Sequence, residues 1–71
     1  MSAPIVIRFS RKGINVFASD EKEDPDKHAL VLKALMEGCV TLHKTHDQEL
    51  ARAAAQRVCE QAGYLVEVQR Q

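Results

Sequence analysis

The chain has 71 residues, 45% hydrophobic and 28% charged, a balance typical of one small globular domain rather than a disordered segment. Ten basic and ten acidic residues give a formal net charge of zero, which argues against a partner held by bulk charge, such as duplex DNA or an anionic membrane. The first residues lack the basic and long apolar regions of a signal peptide, and no apolar run approaches the ~20 residues of a membrane helix, so a cytosolic protein is expected.

Residues 4–19 have the pattern of a β-hairpin. Ile5, Ile7 and Phe9 lie on one face of the first predicted strand, and Val6 and Arg8 lie on the other. A second alternating run follows Gly13. Gly13 can supply the positive φ of a tight connection. The next residues are expected to form a solvated acidic loop over 20–24, with the charged stretch continuing to Lys27.

A first helix is predicted over about 25–37. Proline at position 25, after an acidic residue, is typical of a helix start. Apolar residues then recur at spacings of three and four, which predicts a core-facing stripe of His28, Val31, Leu32, Leu35 and Met36.

Gly38 leaves two interpretations open. It can end the helix, with residues 39–43 as a further strand, or the helix can continue through it. The strand is favoured because glycine is the commonest helix stop and because Val40, Thr41 and Thr45 are weak helix formers.

A second helix is predicted over about 46–62. Thr45 and Gln48 have the spacing of a capping box, and Gly63 stands where a helix usually ends. The last strand is predicted over 64–69.

These elements predict an α+β fold of two layers, in which a small mixed sheet carries both helices on one face. The element order is ββαβαβ if residues 39–43 are a strand, and ββααβ if they are helical. The residues expected to carry the core are Ile7, Val16, Leu32, Leu35, Val58 and Val66.

The other face of the sheet is then left open, and it mixes apolar and polar side chains. Such a face can dimerise or bind another protein. The expected partner-binding residues are Val6, Arg8, Phe17 and Leu65, with Arg11 and Lys12 at the hairpin tip.

The leading functional hypothesis is a small non-enzymatic interaction module, either a regulator or inhibitor that binds a larger protein or a homodimer through its open sheet face. The alternative is a single-stranded nucleic-acid binder, in which Phe17 stacks on a base while Arg8, Arg11 and Lys12 hold phosphates.

Catalysis and cofactor binding have little support in the sequence. The glycines are isolated, so no phosphate-binding loop is present, and no cofactor is expected. A thiol–imidazole site would require Cys39, His43, His46 and Cys59 to converge. Cys39 and His43 are one turn apart only if that segment is helical, and the simpler interpretation is reduced structural cysteines with exposed histidines.

Overall fold

The computed structural model of the chain describes residues 4–18 and 25–71. The acidic loop expected over 20–24, and residue 19 at the end of the hairpin, lie outside the described residues. In the described part the elements follow the order ββααβ. Neither helix found there combines the length and the apolar character that a membrane span requires.

The hairpin consists of β1, Ile5–Ser10, and β2, Gly13–Ala18. The strands are antiparallel, with Ile7 opposite Val16. Gly13 has a φ of +152°, a conformation that glycine adopts readily and other residues do not. Both the alternation and the turn are therefore as predicted.

The hairpin is followed by α1, Pro25–Thr45, α2, Gln48–Gln61, and β3, Val66–Arg70. β3 pairs in parallel with β1, so that β1 is the centre of a mixed sheet with the order β2-β1-β3. The predicted α+β class and mixed sheet are confirmed, and of the two element orders the structure has the one without a strand between the helices.

The strand favoured over residues 39–43 is wrong, because α1 continues through that segment. Gly38 is buried inside the helix rather than capping it. A Cβ added there would lie 3.1 Å from Cδ1 of Ile14 and 3.4 Å from the carbonyl oxygen of Ala51. Glycine therefore lets α1 approach β2 and α2 closely, and this packing outweighs the low helix propensity of the neighbouring residues.

α1 ends at Thr45, and the histidine that follows has a left-handed backbone conformation. His46 has a φ of +56°, and its N–H donates to the carbonyl of Leu42 at 2.8 Å, as a glycine after a helix commonly does. The hydroxyl of Thr45 donates to the carbonyl of Thr41 at 2.7 Å. The predicted stop at Gly38 is thus replaced by a stop two turns later.

The cap of α2 is Asp47 and not Thr45. The carboxylate of Asp47 accepts from the N–H groups of Glu49, at 2.9 Å, and Leu50, at 3.3 Å. The expected end of the helix is confirmed, since Gly63 has a φ of +86° and its N–H donates to the carbonyl of Glu60 at 2.9 Å.

One face of the sheet and both helices share a core. α2 buries small side chains, Ala51, Ala55 and Cys59. The predicted core is correct for Ile7 and Val16, but Leu32 is 49% exposed. Three other predicted residues pack against the core while partly exposed: Leu35, Val58 and Val66. The buried cluster consists of Ile5, Ile7, Val16, Val31, Ala34, Ala55 and Cys59.

Lys27 is buried, although a solvated position was expected. Its side chain is 2% exposed, and Nζ lies 5.8 Å from the centre of the Tyr64 ring. This contact joins the start of α1 to the segment that leads into β3.

Candidate interaction surfaces

The open face of the sheet brings together three of the predicted site residues. The strand register places Val6 beside Phe17 on β2 and beside Glu67 on β3. Arg8 is the next residue of β1 on that face. Its guanidinium carbon lies 5.2 Å from the centre of the Phe17 ring, within cation–π range.

Arg8 is also held from the other side. Its Nε and Nη2 donate to Oε1 of Gln69 at 3.1 and 2.9 Å, and Nε2 of Gln69 donates to a carboxylate oxygen of Glu67 at 2.8 Å. The cation therefore lies between an aromatic ring and an amide. Phe17 is only partly exposed and Val6 is 2% exposed, so the chain itself covers much of this face. The prediction that Val6 binds a partner is therefore wrong, because its side chain is already buried.

The remaining predicted site residues lie at two separate ends of β1. Leu65 is 77% exposed, and its carbonyl accepts from the N–H of Ile5 at the start of the strand. Arg11 and Lys12 are exposed in the turn at the other end, roughly 17 Å away for a strand of this length. The structure does not bring these two groups to one site.

The candidate thiol–imidazole residues converge only in part. Cys39, His43 and His46 line one shallow groove beside the tip of the hairpin. Cys59 is instead buried in the core, where burial, and secondarily the carboxylate of Glu60, raise the pKa of its thiol. Within the described part of the chain, no group of three or more His, Cys, Asp and Glu residues is placed to hold a metal ion.

The outer face of α1 was missed by the sequence reasoning. Leu32, Met36 and Val40 are 49%, 67% and 47% exposed. They follow one another at intervals of four residues, so they form one line along the helix. The core-facing side of the same helix carries Val31 and Ala34, which lie nearly opposite this line.

This outer face is unusual because a surface helix normally presents charged residues to solvent there. Lys33 and Glu37 are exposed, but each follows an apolar residue of the line by one position, so both lie on its flank. We call Leu32, Met36 and Val40 the α1 stripe. A helix that is apolar on two sides is typically covered on both.

The signal for the α1 stripe was present in the sequence. Val31 and Leu32, and likewise Leu35 and Met36, are adjacent apolar pairs. Adjacent residues on a helix point about 100° apart, so a single core cannot bury both members fully. Assigning all of them to one core stripe concealed the second apolar face.

No family model, curated protein or solved structure matches this chain. Its function is therefore inferred from its own residues and their arrangement.

Proposed function

We propose that the chain is a small, non-enzymatic protein-interaction module of the cytosol. It acts by binding a protein through the α1 stripe, either a larger protein that it regulates or inhibits, or a second copy of itself. The observation that carries this proposal is the exposure of Leu32, Met36 and Val40 on one line of a helix whose other side forms the core. Interface centres are apolar and rich in methionine, and charged residues gather at their rims.

The α1 stripe is a better candidate than the open sheet face. On the sheet, the Phe17 ring is already covered in part by Arg8, whose donors are bound to Gln69. A partner on that face would have to displace these contacts. On α1, association would cover apolar surface that water now contacts, which is favourable by about 25 cal/mol for each Å² removed.

The nucleic-acid alternative has weaker support. Its stacking residue, Phe17, has Arg8 over the ring, and Glu67 lies on the same face, where its charge would oppose a phosphate. The formal net charge of zero adds no general attraction for a polyanion. Fluorescence anisotropy with labelled oligonucleotides at two salt concentrations tests it, and salt-sensitive binding that is lost in Phe17→Ala would establish this alternative.

Site-specific photo-crosslinking in cells tests the interaction module and separates the two surfaces. A benzophenone amino acid replaces Met36 on the stripe, Phe17 on the sheet, or Arg57, an exposed residue of α2, as the control. We expect covalent protein adducts from position 36 and none from position 57. Adducts from position 17 alone would move the interface to the sheet, and no adduct from any position would contradict the interaction function.

A further inference from the structure

We propose that the occupant of the α1 stripe is a second copy of this chain. The α1 helices of the two copies pack against each other in antiparallel orientation, related by a twofold axis near Met36. This inference rests on the proposed function, because it identifies the partner of the same surface. Two features of α1 support it. The exposed residues have a spacing that suits helix pairing, and the charges of Lys33 and Glu37 on the flank of the stripe suit a twofold arrangement.

The exposed residues of α1 have the spacing of a helix-pairing seam. Ala29, Leu32, Met36, Cys39 and His43 are all exposed and succeed one another by three, four, three and four residues. This is the heptad spacing with which one helix packs along another. A twofold axis makes the seam complementary to itself. The two Met36 side chains then meet, and Leu32 lies level with Cys39 and with its neighbour Val40 in the second copy.

The charges on the flank fit this antiparallel arrangement. Lys33 follows Leu32 and Glu37 follows Met36, so both lie on the same side of the seam. With a rise of 1.5 Å per residue, Lys33 lies about 4.5 Å before the axis and Glu37 about 1.5 Å after it. Reversing the second helix places its Lys33 within about 3 Å, along the helix, of Glu37 in the first copy.

Opposite charges outnumber like charges among the close pairs of this arrangement. The two Lys33 residues lie about 9 Å apart along the helices, and the two Glu37 residues about 3 Å apart, on opposite sides of the interhelical distance of about 8–10 Å. One Glu37–Glu37 approach therefore stands against two Lys33–Glu37 approaches of the same axial distance. The pairing therefore forms the same Lys33–Glu37 contact twice, and the zero net charge of the chain adds no general repulsion between copies.

Charge exchange on this flank gives a sharp test. Lys33→Glu and Glu37→Lys each turn the reciprocal contacts into like-charge contacts. Each variant alone should self-associate roughly tenfold more weakly than the original chain in sedimentation equilibrium at 150 mM salt. An equimolar mixture should restore the dimer, because every cross-chain contact is then between opposite charges. Circular dichroism verifies that each variant is folded.

A matched pair of variants controls for net charge. Arg57→Glu and Glu60→Lys make the same charge changes at exposed positions of α2, away from the α1 seam. Each should dimerise like the original chain, and mixing them should change nothing. If the two α1 variants associate no better when mixed than apart, the antiparallel pairing is wrong.

The experiment also separates this inference from the proposed function. A chain that remains monomeric at every concentration, yet forms adducts with a different protein from position 36, would overturn the second copy as occupant and leave the interaction function standing. A dimer that is insensitive to Lys33→Glu and Glu37→Lys would overturn the α1 seam.

Discussion

At Gly38, helix propensity and packing oppose each other. Alanine is the better helix former by about 1 kcal/mol, but its Cβ would lie 3.1 Å from Cδ1 of Ile14. Overpacking of this kind costs about 1–3 kcal/mol. We expect Gly38→Ala to lower the free energy of unfolding by about 1 kcal/mol in urea denaturation, although the residue lies in a helix.

The crowding at Gly38 can be tested by removing the crowded atom. Ile14→Val deletes Cδ1, so the double variant should be about 1 kcal/mol more stable than the sum of the single variants predicts. Strict additivity would show that the Cβ at position 38 is accommodated elsewhere.

The buried thiol of Cys59 predicts a dependence of stability on pH. Its pKa is raised above the usual 9.0 by burial and then by Glu60. The folded chain therefore keeps the proton at pH values where the unfolded chain loses it. The resulting stability is fully present below about pH 9 and is lost as the pH rises towards the folded pKa.

Comparison with Cys59→Ala isolates this contribution. Above pH 9 the free energy of unfolding of the original chain should fall more steeply with pH than that of the variant. Cys39→Ala, which removes an exposed thiol, is the control and should retain the steep slope. Equal slopes in the original chain and in Cys59→Ala would contradict the burial of this thiol.

At the level of the elements, the start of α2 depends on Asp47. Its carboxylate accepts from two N–H groups that the helix cannot otherwise satisfy. Asp47→Ala should lower the free energy of unfolding by about 1 kcal/mol, whereas Asp47→Asn keeps an acceptor oxygen and should cost much less. Equal losses in thermal denaturation would mean that the cap is not formed by this side chain.

The two sides of α1 should respond differently to truncation. Leu35 packs against the core and Leu32 is half exposed. In dilute protein, Leu35→Ala should cost about 2 kcal/mol or more, and Leu32→Ala well under 1 kcal/mol. A larger loss of unfolding free energy for Leu32→Ala than for Leu35→Ala would indicate that Leu32 belongs to the core, as the sequence predicts.

The hairpin could be predicted from the sequence because its signals are local. Strict alternation sets the faces of β1, and Gly13 satisfies the turn that joins it to β2. The extent of α1 could not be predicted, because the usual stop signal at Gly38 is cancelled by contacts with Ile14 and Ala51, which are distant in sequence. The true stop at His46 uses a residue type that seldom marks a helix end.

The candidate surfaces also differ in how far the sequence predicts them, because some depend on local signals and others on contacts between distant residues. Pairing within the hairpin places Phe17 on the face opposite Val16, and alternation alone indicates this. The Gln69 contact that holds Arg8 depends on the register of β3 against β1, which the sequence does not specify. The α1 stripe depended on recognising that one core cannot cover both sides of a helix.

In the molecule as a whole, two layers leave two outer faces, and the chain treats them differently. On the sheet, Arg8 links Phe17 to Gln69 and polar groups find partners within the chain. On α1, Leu32, Met36 and Val40 contact solvent. A domain of this size buries only about 60% of its unfolded surface, so covering the second face by association would add to a small margin of stability.

This difference predicts that thermal stability depends on protein concentration. When a folded dimer unfolds to monomers, a tenfold rise in concentration stabilises the folded state by about 0.7 kcal/mol per chain, which for a small domain raises Tm by roughly 3–6 °C. Met36→Glu places a charge at the centre of the seam and should have the same Tm at every concentration, close to that of the original chain at high dilution. Arg57→Glu should keep the concentration dependence. A Tm of the original chain that stays constant over a hundredfold range would show that the α1 stripe is not covered by a second copy.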